Sequence, residues 1–148
     1  MTGLRVCVAV AAVISFSVLA KASMPSDNKK TVISFYNLSF VDHKPQEAAD
    51  RYIGNRYVQH NPHVPDGKKA FTDYFVPFFK EHPDAKSEIK HAVAEGDLVV
   101  LHVLGKKDKS DRGKAVVDIF RVENDKIVEH WDVMQEIPEK AANQNTMF

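Results

Sequence analysis

The stretch that decides the fold is AVVDIFRVENDKIVEHWDVM, residues 115–134. Apolar and polar residues alternate on both sides of Asn124-Asp125, a pair that tolerates left-handed backbone and suits a two-residue hairpin turn. Two antiparallel β-strands are therefore expected here. Asp118 and Asp132, however, stand among Val, Ile, Phe and Trp. An ionised carboxylate in apolar surroundings costs several kcal/mol unless it is paired, hydrated or protonated. A regular hairpin puts Asp118 opposite Trp131 and Asp132 opposite Val117, on opposite faces of the sheet. Both aspartates reach one pocket only if a β-bulge intervenes, and bulges are common beside active sites.

Working outward, period-two patterning also covers Ser87–Glu95 and Leu98–Lys106, with Gly96-Asp97 as the turn between them and SDRG at 110–113 closing a longer loop. Upstream of Pro83 the period becomes helical. Val32, Ile33, Phe35, Tyr36 and Phe40 recur between about Asn28 and Val41, with Ser26 or Asp27 as caps. Pro45 opens a short helix, PQEAADRYI, with Gly54 at its end. A third helix follows Asp66-Gly67, carries Phe71, Phe75, Phe78 and Phe79, and stops at His82-Pro83. Helices first and an antiparallel sheet afterwards is an α+β pattern. A curved sheet wrapped around three N-terminal helices makes a cone with a single pocket.

Val6–Ala20 is an apolar run, broken only by Ser15 and Ser17, behind a short head bearing Arg5, and Ala20-Lys21-Ala22 fits a small-x-small cleavage rule. Residues 1–22 therefore read as a signal peptide cut after Ala22, which implies a secreted or periplasmic protein. The remaining 23–148 suffices for one domain with a real core. Cys7 is the single cysteine and lies in the signal, so the mature chain has no disulfide or thiol nucleophile. The chain carries 20 basic and 20 acidic residues. That balance gives no footprint for nucleic acid or, once the signal is cut, for an anionic membrane.

Polar groups fall where the pattern asks for apolar ones at four places: Tyr57–His63 before a Pro-rich turn, His102 within LVVLHVLG, Asp118, and His130-Trp131-Asp132. Singly, each has an ordinary reading: His60 and Asn61 as turn caps, His102 as a core histidine, Asp118 paired with Arg121, Trp131 as packing. Together they cost much less if they share one hydrated pocket, since an unsatisfied buried polar group costs about 1–3 kcal/mol. A carboxylate between apolar walls beside an imidazole also divides acid from base.

YVQHNPHVPDG (57–67), the Phe-rich helix after it, and VVDIFRVENDKIVEHWDVMQ (116–135) resemble the SnoaL-like polyketide cyclase family of the nuclear-transport-factor-2-like superfamily. The resemblance implies that same cone, and aldol-type cyclisation or isomerisation with neither cofactor nor metal. It implies Asp132 as acid/base, Asp118 as its helper one strand earlier, and His60 or Asn61 as the polar residue after the second helix. An epoxide-hydrolase-like site would want Arg where Val116 stands. The expected catalytic set is Asp132, Asp118 and His60. His60 or His102 is expected to stabilise an oxyanion. Tyr57, Asn61, Phe75, Phe79, His102, Phe120, His130 and Trp131 are expected to contact a small hydrophobic carbonyl compound. Three rival readings are a non-catalytic binding protein of the same fold, an imidazole metal site from His60 and His63 with His102 or His130, and a sheet face used for homodimers.

Overall fold

The computed structural model describes residues 24–148, so the expected signal peptide lies outside the described residues. Helix α1 (Pro25–Tyr36) runs directly into a π-helical turn, Asn37–Val41, and is followed by α2 (Pro45–Tyr52). Strand β1 (Ile53–Gln59), α3 (Lys68–Glu81), β2 (Lys86–Glu95), β3 (Leu98–Lys106), β4 (Lys114–Glu123) and β5 (Lys126–Glu136) complete the chain. The strands form one curled, unclosed sheet in the order β1-β5-β4-β3-β2, and every pairing is antiparallel except that of β1 with β5.

The helices fill the concave side of the sheet. Val32 and Phe35 of α1, Ala48 and Ala49 of α2 and Phe71 of α3 pack on Val99, Leu101 and Val103 of β3, Phe120 and Val122 of β4 and Ile127 of β5. Each fully buried large apolar side chain contributes roughly 1.5–3 kcal/mol, so this seam sets which sheet face is inside. Asn28 fastens α1 to the β2–β3 turn by donating its side-chain amide to the Gly96 carbonyl at 3.0 Å.

Local structure departs from the sequence reading in two places. The first helix begins at Pro25 rather than near Asn28, and no side chain caps it. Proline at the first helical position has no N–H to leave unsatisfied, which makes a side-chain cap less necessary. Gly54 does not end α2, because Ile53 already adopts extended backbone and the chain passes from helix to strand without a loop. A Cβ on Gly54 would lie 3.3 Å from both the Arg56 carbonyl oxygen and a Val128 methyl, so close approach of β1 to β5 explains the glycine.

Candidate functional site: two facing aspartates

Asn124 and Asp125 both adopt positive φ, as a two-residue turn requires, and Glu123 pairs with Lys126. The ladder then shifts. Val122 pairs with Ile127 but Arg121 pairs with Glu129, leaving Val128 as an extra residue in β5. From that bulge onward Asp118 faces Asp132 and Phe120 faces His130. One inserted residue thus brings both aspartates to the concave face.

Carboxylate oxygens of Asp118 and Asp132 and a ring nitrogen of His130 all lie within 4.8 Å of one another. Asp118 and His130 are buried and Asp132 is half-buried. His130 Nε2 lies 3.0 Å from Asp118 Oδ1, and its Nδ1 lies 3.0 Å from Gln59 Oε1. Asn61 donates its amide Nδ2 to both oxygens of Asp132, at 2.9 and 3.0 Å. Phe120 walls the imidazole at 4.8 Å between ring centres, and Tyr57 stacks over it at 6.5 Å. His130 bonds Asp118, and Gln59 and Asn61 bond the outer sides of His130 and Asp132, so the three groups form one hydrogen-bonded network.

Two tyrosines reach the carboxylates. Burial, the charge of Asp118 and a hydrogen bond to Asp118 push the Tyr36 phenol well above its ordinary range, against an opposing hydrogen bond from Ser87. Burial, followed by the charges of Asp118 and Asp132, pushes Tyr57 up as well. Both phenols therefore stay protonated at neutral pH and serve as neutral hydrogen-bond donors. Ser87 also lines an open hollow of about 780 Å³ between the π-helical turn and the β2–β3 edge, together with Phe40, His43 and Leu104. Ser87 on the wall of that hollow and Asp118 both act on the Tyr36 phenol.

The remaining expected residues divide by face. Asn61 and Phe120 join the aspartates. Phe75 and Phe79 belong to an aromatic cluster with Phe40, at 5.0 and 6.2 Å, and Phe79 stacks on His43 at 4.2 Å. His60, His102 and Trp131 were expected in the same pocket and are not there. His60 stacks on Trp131 at 4.5 Å and bonds Glu129 at 2.8 Å on the convex face, where Glu129 also accepts from Arg121 at 2.7 Å. His102 pairs with Val117 across β3 and β4 and lies beside His91 and Phe148. The reason is strand alternation: Leu101 pairs with Asp118 on the inside, so its neighbour His102 points out, and Trp131 lies between two inward residues.

Sequence reasoning passed over Gln59 and Tyr36. Gln59 was detectable, because Tyr57 and Gln59 are spaced by two on one strand and so share a face. Tyr36 carried no comparable signal, since between Phe35 and Phe40 it reads as helix core.

Residues 32–130 match the SnoaL-like domain family. A search of curated proteins gave no match. Among solved structures the chain is similar to a candidate polyketide cyclase from Acidithiobacillus ferrooxidans (TM-score 0.63, 20% identity, covering 76% of this chain and 90% of that one). It is likewise similar to TsrD from Streptomyces laurentii (TM-score 0.63, 18% identity, 76% and 91% covered). A third likeness is to a nuclear-transport-factor-2-like protein from Mesorhizobium loti (TM-score 0.62, 17% identity, 75% and 93% covered). At such identities these structures speak for the fold. With its sequence match spanning most of the described residues, the chain belongs to the SnoaL-like family.

Proposed function

We propose that this protein carries out acid/base chemistry, without a cofactor, on a small and mostly apolar carbonyl compound. Asp132 removes a proton from the carbon next to the carbonyl. The C–H bonding pair moves into the carbon–carbon bond and the charge onto the carbonyl oxygen. That oxyanion accepts a hydrogen bond from a buried tyrosine hydroxyl or a proton from the Asp118–His130 pair, the roles the sequence reading gave to His60 or His102. The enol so formed either attacks a second carbonyl of the same molecule, closing a ring, or is reprotonated at another carbon, giving an isomer.

The observation that carries this reading is the unlike surroundings of two facing carboxylates: Asp118 is buried against an imidazole, and Asp132 is half-buried and held by a neutral amide. Environments of that kind separate an acid from a base. The hollow beside Ser87 falls within the roughly 300–1,000 Å³ of small-molecule sites.

Deuterium exchange into a simple aryl ketone tests the reading. Asp132→Asn is expected to slow enzyme-dependent exchange by at least about 100-fold, the lower range for removing a general base. Exchange at the wild-type rate in that variant would remove Asp132 from the chemistry.

A further inference from the structure

The strand-edge amides fix more than position, because their own orientation is fixed by the backbone. Gln59 Oε1 accepts the Asn61 backbone N–H at 2.9 Å. A backbone N–H can only donate, so the Gln59 atom at that place is the oxygen and not the amide nitrogen. His130 Nδ1, 3.0 Å from the same oxygen, must therefore carry a proton. Its other nitrogen then faces Asp118 Oδ1 at 3.0 Å, and that contact needs a proton of its own. The proton resides either on Nε2, making an imidazolium beside a carboxylate, or on Asp118, making a carboxylic acid beside a neutral ring. In both forms the pair holds one proton more than a neutral histidine with an ionised aspartate.

Asn61 imposes the opposite condition on Asp132. Its Oδ1 accepts the His63 backbone N–H at 2.9 Å, which turns its Nδ2 toward Asp132. That nitrogen donates to both carboxylate oxygens. A donor shared by both oxygens favours the ionised form, because a proton on either oxygen removes an acceptor. The other titratable groups packed against the site are Tyr36 from α1 and Tyr57 from β1, both kept neutral by burial.

We propose that Gln59 and Asn61 are positioning residues that assign the acid role to the Asp118–His130 pair and the base role to Asp132. The assignment of roles rests on the reading of Asp132 as base, whereas the protonation pattern of His130 does not. The end of β1 and the turn after it, with carboxamides two residues apart and each pinned by a backbone N–H, thereby break the symmetry of two aspartates that face each other.

Nitrogen-15 NMR of the histidine-labelled full chain provides a test independent of turnover. His130, assigned by its loss in His130→Gln, is expected to show a protonated Nδ1 throughout pH 6–8. Gln59→Met removes the acceptor at similar length and is expected to move the ring proton to Nε2. Gln59→Glu keeps an acceptor for both N–H groups and is expected to retain the wild-type pattern. In the exchange assay Gln59→Met should lower kcat about tenfold with little change in KM, less than the roughly 100-fold or more for losing a general acid outright, and Gln59→Glu should recover most of it. Asn61→Leu removes the amide donor to Asp132 and should lower kcat by a similar factor with little change in KM, while leaving the His130 nitrogen-15 pattern as in wild type. A wild-type His130 protonated only at Nε2 would overturn the proposal, as would a Gln59→Met variant with wild-type spectrum and rate. Should wild-type protein catalyse no exchange, the reaction reading fails alone, and the nitrogen shifts still decide what the amides do.

Discussion

At the scale of single residues, the same side chain acquires different chemistry from its neighbours. Asp118 and Asp132 differ in what contacts them: an imidazole and a tyrosine on one, an asparagine amide on the other. Glu129, one residue from His130, faces the other way and belongs to a surface network with His60, Arg121 and Asp97. His60 first and Arg121 second hold its carboxyl below the ordinary range. A depressed folded-state pKa contributes stability that is present above the unfolded value, about 4.3 for glutamate, and is lost as pH falls through the folded value. Glu129→Gln is therefore expected to cost up to about 1 kcal/mol at pH 7. The gap to wild type should close as pH falls below about 4. Urea denaturation of both proteins across that range measures it, and a gap that widens in acid would contradict the assignment.

At the scale of elements, the bulge at Val128 determines which carboxylates meet. Without a shift the hairpin turn alone would set Asp118 against Trp131; with it Asp118 sets against Asp132. Gly54 makes room for this feature, since a Cβ there would crowd the Arg56 carbonyl and the Val128 methyl at 3.3 Å. Gly54→Val is expected to destabilise the fold by roughly 1–3 kcal/mol through overpacking, and to reduce the proposed exchange more than a neutral strand substitution would. Thermal melting together with the exchange assay checks both. A variant as stable as wild type would show that β1 and β5 have slack at the bulge. The π-helical turn is a second irregular element: it carries Phe40 onto the Phe75 and Phe79 rings and helps wall the hollow beside Ser87.

At the scale of the whole molecule, a single curled sheet separates two environments. The concave face holds the carboxylates, the two tyrosines and the aromatic core. The convex face holds His60, Trp131 and His102, and the C-terminal segment lies across part of it. There Phe148 approaches His102 at 5.1 Å and Lys90 at 5.6 Å, and a hollow of about 540 Å³ remains between this segment and Val117, Val133 and Gln135. Removing residues 138–148 is expected to leave the proposed exchange within about twofold, because no contact with the inner site is broken and surface changes are usually small. It should also enlarge the exposed apolar surface at Val117 and Val133 and so raise binding of an apolar fluorescent dye. Loss of exchange with the fold intact would mean that the two faces are coupled.

What the sequence determined by itself was periodicity: where helical spacing gives way to alternation, where Asn124-Asp125 turns the chain, and that Asp118 and Asp132 are anomalous in apolar strands. Those features are local, written in spacing and residue type, and they suffice for three helices against an antiparallel sheet. Which polar residues meet is different in kind, because a one-residue change of register sends a side chain to the other face. His60 and His102 looked equivalent to His130 along the chain, and only alternation measured from buried Leu101 and Phe120 separates them. The extra residue at Val128, the parallel docking of β1 on β5 that delivers Gln59 and Asn61, and the reach of Tyr36 from α1 all depend on contacts between distant segments. Such contacts are settled by how the helices fill the curled sheet, and no short-range pattern encodes them.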